Sequence, residues 1–402
     1  MINFLIVEED LRISGTSQGI ISRSFIGYLS KSFPDAIIDL IYIHAHDSSN
    51  DQLSTLPSNL IIDRTYKIKP PFHIKWLNRI LRRLSTIALY ENFITNQFRR
   101  IINSVDYTAY DYIFVRSTGF NCYSILSLNG LPIIKKSIIF FNEPYPLAWS
   151  PGKNRKFEKN DFLKLKKMRN ILSQVRGCVA STFLAQDLQF LYGSSIRFFD
   201  LPHVFDSDMF TIIRQNKNLY KSVFVFGYHG STQYGRDIKK VLNAYKELLN
   251  ERSELFGKTK FILRLKSDYL HDLKNEFEDT YEIEFLPLIN ANLCLEEQIN
   301  LIDCNVLLEN GPLYSSSLLG KAPVANYSGG NVIIVSPKKS ELREIANPEC
   351  VTGYDKNEIK QKLLKTIERN NSEDNISPFG NYFSQEIFKS KMEELITSLR
   401  AV

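Results

Sequence analysis

Alternation of short apolar strands with amphipathic helices predicts an α/β protein made of two doubly wound parallel-sheet domains. Three observations carry that expectation. At 402 residues the chain exceeds one ordinary hydrophobic core and suits two domains of roughly 200 residues. Residues 1–200 alternate strand-like and helix-like segments, as parallel sheets with crossover helices do. A second set of such units starts at Lys221, beyond a crossover at Leu201-Pro202-His203-Val204-Phe205-Asp206. The expected boundaries are 1–205, 206–380 and a terminal helix within 381–402.

Bulk properties narrow the class. The apolar fraction of 44% is that of a globular protein. Asn3–Val7 meets Glu8-Glu9-Asp10 at once, which reads as a first strand and not as a signal peptide. No run approaches ~18 uninterrupted apolar residues, so no spanning helix is expected. Five cysteines (Cys122, Cys178, Cys294, Cys304, Cys350) are scattered without metal-like spacing and read as reduced thiols of a cytoplasmic protein. No metal site is expected. The net charge of +6 is uneven. Lys67, Lys69, Lys75, Arg79, Arg82, Arg83, Arg99 and Arg100 face Glu91 alone between Tyr66 and Ser104, and Lys153–Arg169 is a second basic run.

In chain order, strands are expected at Asn3–Val7, Ala36–Ile43, Leu60–Asp63, Tyr112–Arg116, Ser137–Phe141, Gly177–Ser181 and Ile196–Asp200. The first helix, Gly19–Ser32, repeats apolar residues at Ile20, Ile21, Phe25 and Leu29. The loop before it holds Gly15, Thr16 and Ser17, but not the Gly-x-Gly-x-x-Gly of dinucleotide binders, which disfavours an NAD-dependent enzyme. After Pro70-Pro71, His73–Thr86 reads as an amphipathic helix. Ile74, Leu77, Leu81 and Leu84 fall on one face with Trp76 and Ile80 beside them, and Lys75, Arg79, Arg82 and Arg83 occupy the rest. Two readings stand: a helix lying on an anionic membrane, touching it through Trp76, Arg79, Arg82 and Arg83, or a solvated basic face. Nucleic acid is a poorer partner, since aromatic interleaving is thin and no recognition motif accompanies the charge. His44 and His46-Asp47 end the second strand as a weak candidate pair. Glu143 stands in a polar loop at the carboxyl end of a strand, where open α/β sheets place ligands.

In the second half, strands are expected at Val223–Phe226, Phe261–Leu265 and Tyr281–Leu286, with a loop at Gly227–Ser231 and helices at Gly235–Leu249 and Leu295–Ile302. Arg264 and Lys266 are delivered by the strand at 261–265. Asn305–Leu308 reads as a buried strand ended by Glu309-Asn310-Gly311-Pro312. Ser315, Ser316 and Ser317 then sit at the expected N-cap of a helix starting near Leu318, with Lys321 one turn in. Val332–Val335 makes the next strand, and Ser336-Pro337 opens another helix with Glu341 and Glu344 in its early turns. Unpaired N–H groups at a helix start plus a lysine suit a diphosphate; an ordinary strand–helix–strand unit with capping serines is the alternative. Helices at Lys356–Arg369 and Ser384–Leu399 close the chain.

Ser317-Leu318-Leu319-Gly320-Lys321, then Tyr327-Ser328-Gly329-Gly330-Asn331 through Pro337 and Ser340–Ile345, resembles the donor-binding region of family-4-like glycosyltransferases. Leu201–Asp206 followed by Phe210 resembles that family's interdomain element. The resemblance implies a GT-B fold, two Rossmann-like domains facing a central cleft, with the terminal helix packing back on the N-terminal domain. It also implies a metal-independent hexosyltransferase that moves sugar from a UDP- or GDP-sugar to a glycan or lipid-linked acceptor in polysaccharide or glycolipid synthesis. Beyond that co-substrate no cofactor is expected. The implied donor site comprises Gly230, Ser231, Arg236, Arg264, Lys266, Glu309, Ser315, Ser316, Ser317 and Tyr327, with Lys321 on the leaving diphosphate. Gly15, Thr16 and Ser17 would face the acceptor, and Glu143 would act as base in an inverting reaction. The chain departs from the family pattern at Leu318 and Asn326, where a glutamate pair is usual, and His229 and Tyr234 stand where an arginine and a lysine are common. A catalytically silent GT-B module is therefore the competing reading, and a nucleotide-sugar epimerase a third.

Overall fold

The computed structural model describes residues 1–13, 17–84 (82–84 by backbone only), 88–117, 121–146, 156–213, 222–233, 235–311, 313–369 and 376–400. The chain divides into two compact units. One runs from the N-terminus to Met209 and takes in the segment from Gln385 on; the other spans Phe210–Ser384.

The first unit holds β1 (Asn3–Glu8), α1 (Ser17–Ser32), β2 (Ile37–His44), β3 (Leu60–Thr65), α2 (Phe72–Leu84), α3 (Leu89–Asn103), β4 (Tyr112–Arg116), α4 (Tyr123–Ser127), β5 (Ser137–Phe140), α5 (Lys159–Leu172), β6 (Gly177–Ala180), α6 (Thr182–Tyr192) and β7 (Phe198–Asp200). Its seven strands are parallel in the order β3-β2-β1-β4-β5-β6-β7. The central strands are buried nearly throughout, as strands covered on both faces must be. Phe4, Phe25, Phe114 and Phe140 interlock on one face with centroid spacings of 5.1–5.7 Å.

The second unit holds β8 (Phe224–Ser231), α7 (Ile238–Glu251), β9 (Thr259–Lys266), α8 (Leu270–Glu276), β10 (Ile283–Leu286), α9 (Ala291–Asn300), β11 (Cys304–Leu308), β12 (Tyr314–Ser315), α10 (Ala322–Ser328), β13 (Asn331–Val335), β14 (Lys339–Ser340), α11 (Glu341–Ile345), β15 (Val351–Thr352) and α12 (Lys356–Arg369). Its six-stranded parallel sheet runs β10-β9-β8-β11-β13-β15, and β12 pairs with β14 apart from it. The last helix, α13 (Gln385–Arg400), returns to the first unit and buries Phe388, Met392, Leu395, Ile396 and Leu399 beside Phe25 and Leu29.

Beyond shifts at element ends, such as α9 starting at Ala291 and not Leu295, three segments differ from the expectation. Gly227–Ser231 is not a loop: β8 continues through it, in register with β9 as far as Ser231 opposite Lys266. Gly227 permits this, because a Cβ there would meet the Ile302 side chain at 2.6 Å. The helix expected near Leu318 starts at Ala322, with Pro323 in its first turn and Lys321 as its N-cap. Ser315 pairs in β12 instead of capping, and Ser316 and Ser317 precede the helix by several residues. Likewise Ser336-Pro337 does not open α11; Ser340 caps it, its Oγ accepting the Arg343 N–H at 3.1 Å.

Candidate functional site

In the second unit the strand order reverses between β8 and β11, and open α/β sheets bind ligands outside the carboxyl ends of strands at such a point. β8 ends there in Tyr228, His229, Gly230 and Ser231, and β11 is followed by Glu309 and Asn310. Lys321 reaches the same place from the start of α10, its Nζ 5.7 Å from the Tyr228 ring centroid. Gly230 makes the room, since a Cβ there would lie 2.6 Å from that Nζ. The residue keeps some exposed surface, but its ammonium is enclosed. It has no hydrogen bond or ion pair among the described residues, and burial together with the nearby Arg236 guanidinium pulls the amine down to about 7. Arg236 donates from Nε to Asn310 Oδ1 at 2.9 Å and has no carboxylate partner among the described residues. Two cations thus meet beside the strand ends with no anion among the described residues to match them.

Two other basic groups here, His229 and Arg264, are engaged. Glu297 on α9 bonds His229 Nε2 at 2.7 Å and takes Arg264 through Nη2 at 2.5 Å and Nε at 2.9 Å. Burial alone would raise Glu297, but the bonds from His229 and Arg264 outweigh it and hold the carboxyl at about 2. The His229 ring is pushed down by its burial. Arg264 also donates to the Pro287 carbonyl, so it acts within the wall of the site. Lys266 is exposed at the end of β9, opposite the half-buried Ser231.

Glu309 is fully buried, and neither carboxylate oxygen has a hydrogen bond of good geometry. Burial lifts its carboxyl to about 8, against the opposing pull of Ser340, the Leu342 N–H and Ser315. Burial thus favours its protonated form, and its backbone carbonyl accepts from the Tyr354 hydroxyl at 2.8 Å. Ser315, Ser316 and Ser317 are buried with it, and Tyr327 is half-buried on α10.

The first unit has its own reversal, between β1 and β4. Glu8 and Arg116 form a fully buried ion pair there, and Ser22 donates to Glu8 at 3.0 Å. Burial lifts Glu8 to about 7 although Arg116 and Ser22 pull it down. Glu9 accepts the Ser124 N–H at 2.8 Å. Glu143 is half-buried in the segment after β5. Ser17 begins α1 and is exposed, while Gly15, Thr16 and Tyr234 lie outside the described residues. His44 bonds Asp63 and the His46 carbonyl, and His46 bonds Asp51 at 2.8 Å, so this pair is tied into its own loop. Asp206-Ser207-Asp208 has the Asp-x-Asp spacing that metal-dependent sugar transferases use, yet both carboxylates hold Lys31, at 2.6 and 2.7 Å. Among the described residues no group of three or more His, Cys, Asp or Glu side chains could hold a metal ion, and no helix is long and apolar enough to cross a membrane. On α2, Trp76 and Arg79 are exposed; the side chains of Arg82 and Arg83 lie outside the described residues.

Glu297, Glu8 and Arg116 escaped the sequence reading. Arg116 carried a readable signal, a charge ending a strand of apolar residues. Glu297 carried none, being 33 and 68 residues from its partners.

No family model and no curated protein matches the sequence. Solved structures do match the fold. Two structures of OtsA, a trehalose-6-phosphate synthase, each superpose with a TM-score of 0.64, at 12% and 10% identity, covering 100% of this chain and 99% of theirs. Sucrose-phosphate synthase from Thermosynechococcus elongatus gives 0.64 at 12% identity over 100% of both chains. A putative UDP-N-acetylglucosamine 2-epimerase from Listeria monocytogenes gives 0.58 at 12% identity, over 98% of this chain and 97% of that one. At such identities the likeness establishes architecture, and the fold is GT-B.

Proposed function

We propose that this GT-B chain moves a hexosyl group from a nucleoside-diphosphate sugar, a UDP- or GDP-sugar, to a hydroxyl of a glycan or lipid-linked acceptor, in the manner of family-4-like transferases. The observation that carries the reading is the Lys321–Arg236 pair: two cations with no anionic partner among the described residues, at the strand-order reversal of the second unit. Among the fold's neighbours, a trehalose-6-phosphate protein from E. coli is bound with UDP-2-fluoro glucose, which supports a nucleotide sugar as the ligand.

In the proposed reaction the bond from the anomeric carbon to the diphosphate oxygen breaks, and its electron pair stays on that oxygen. Lys321 and Arg236 neutralise the charge that grows there, where preorganised donors act most strongly on the transition state. This supplies the electrostatic work without a metal ion. Gly230 and Ser231 border the diphosphate, and Arg264, held by Glu297, shapes the wall beside His229. Glu309 supports the phosphate turn as a neutral acid. The acceptor oxygen bonds the anomeric carbon, and its proton passes to a general base if configuration inverts or to the departing diphosphate if it is retained. Polysaccharide or glycolipid assembly at the cytoplasmic membrane face is the setting that fits such an acceptor.

Calorimetry against UDP-, GDP- and CMP-sugars tests the reading. One class should bind to the wild type and lose most of its affinity with Lys321→Ala. A protein indifferent to all three, as a silent module would be, or unchanged by Lys321→Ala, overturns it.

A further inference from the structure

On the first unit a cavity of about 1030 Å³ opens between α2, α3 and α5. Lys69, Lys75, Arg79, Lys164 and Lys167 line it, facing the carboxylates of Glu91, Glu158 and Asp161. Five cations against three carboxylates leave the wall net positive. Glu91 is matched by Lys167 at 3.3 Å and Lys164 at 3.9 Å, and Glu158 and Asp161 form the capping box of α5. Lys69, Lys75 and Arg79 have no ion pair among the described residues. Unmatched positive charge in a concave wall concentrates its field and draws an anion.

A second feature sets the kind of anion. Phe72, in the cavity wall, is 82% exposed, and Trp76, Leu77 and Phe162 nearby are 54%, 41% and 61% exposed. None of the described α2 side chains is fully buried, so the helix does not use its apolar residues to build the core. Asn78 nevertheless fixes α2 to α3, accepting the Tyr90 N–H at 3.3 Å. A tethered helix that exposes cations and aromatics side by side at a cavity has the chemistry of an interfacial helix.

We propose that this cavity receives the phosphate of an anionic lipid, with Phe72 and Trp76 entering the acyl region. A water-borne phosphate would satisfy the cations but leave the exposed aromatics without an occupant; charge and apolar surface together select an amphiphile. The site uses no residue of the second unit, so it stands or falls apart from the donor-sugar reading.

The full chain is floated with vesicles of phosphatidylcholine alone, with phosphatidic acid, and with phosphatidylglycerol at equal surface charge. Trp76 emission is read in a Trp149→Phe background. Binding is expected to be strongest to phosphatidic acid, whose small phosphomonoester head can enter a cavity, with a blue shift of Trp76 emission. Lys75→Ala with Arg79→Ala should lower the partition coefficient by roughly thirtyfold. Phe72→Ser should lower it too. Lys239→Ala with Lys389→Ala, the same change in net charge placed elsewhere, should leave it unaltered. The proposal is overturned by an equal loss in that control pair, by no loss in the Lys75/Arg79 variant, by an unmoved Trp76 emission, or by inorganic pyrophosphate binding as tightly as the vesicles in calorimetry. UDP calorimetry on the same variants reads the other site and should not change.

Discussion

Lys321 ties the electrostatics of the candidate site to a measurable proton. Its amine titrates at about 7 in the folded protein, well below the ordinary value, because burial and Arg236 disfavour the charged form. Below that pH it is an ammonium, and above it a neutral amine. A diphosphate stabilises the ammonium, so binding above about pH 7 must take up a proton. Calorimetry of UDP in buffers of different ionisation enthalpy near pH 8 should register that uptake, and Lys321→Met should abolish it. Lys321→Ala should lower kcat by about a hundredfold to a thousandfold, the loss expected of one preorganised donor. Gly230→Ala keeps every charge yet puts a methyl 2.6 Å from the ammonium, and should weaken UDP binding about tenfold or more. Glu309 has the opposite sign. Its folded value of about 8 exceeds the ordinary glutamate value of 4.5, so the native state holds a proton that the unfolded chain has lost between those limits. The stability it contributes is complete below about pH 4.5 and disappears as pH rises through about 8. Glu309→Gln should therefore flatten the fall of Tm from about pH 5 to about pH 9 relative to wild type; parallel curves would show that the carboxyl is already ionised.

Elements were legible where their signal is local and less so where pairing across the chain decides. β4 and α12 begin and end where their apolar runs and periodicity say, and β11 and β13 agree within a residue, because a strand buried on both faces must be continuously apolar. Gly227-Tyr228-His229-Gly230 has the composition of a turn, so the sequence predicts a loop where β8 continues. Its glycines instead serve close approach, of Ile302 at one position and Lys321 at the other. The serine run at 315–317 looked like a cap because hydroxyls before a helix usually are. The competing partner, Lys339-Ser340, lies 25 residues away and cannot be seen locally. The same limit hid Glu297, which ties α9 to β8 and β9. Removing it by Glu297→Ala strands a buried imidazole and a largely buried guanidinium, and should cost about 3–5 kcal/mol in urea denaturation. Glu297→Gln should cost less, since its amide oxygen still accepts from one of them.

At the scale of the whole molecule, each unit is cored separately, and the chain's order does not follow the units. Phe226, Tyr245 and Phe261 pack at the centre of the second. The first is completed only by α13, whose Phe388 lies 5.8 Å from Phe25 and 5.6 Å from Tyr28. A chain ended at Ser384 therefore leaves Phe25, Leu29 and their neighbours open to water while leaving the second unit intact in sequence. Phe388→Ala alone should cost the first unit about 3–5 kcal/mol. Calorimetric scans of the truncated chain should accordingly lose the cooperative transition of the first unit and keep that of the second. Addition of UDP should raise the surviving transition, by about 2.7 kcal/mol of added stability at a hundredfold excess over Kd. If the truncated chain retained both transitions, α13 would be a passenger on the first unit. If UDP raised only the transition lost on truncation, the nucleotide site would belong to that unit and not to the strand ends around Lys321.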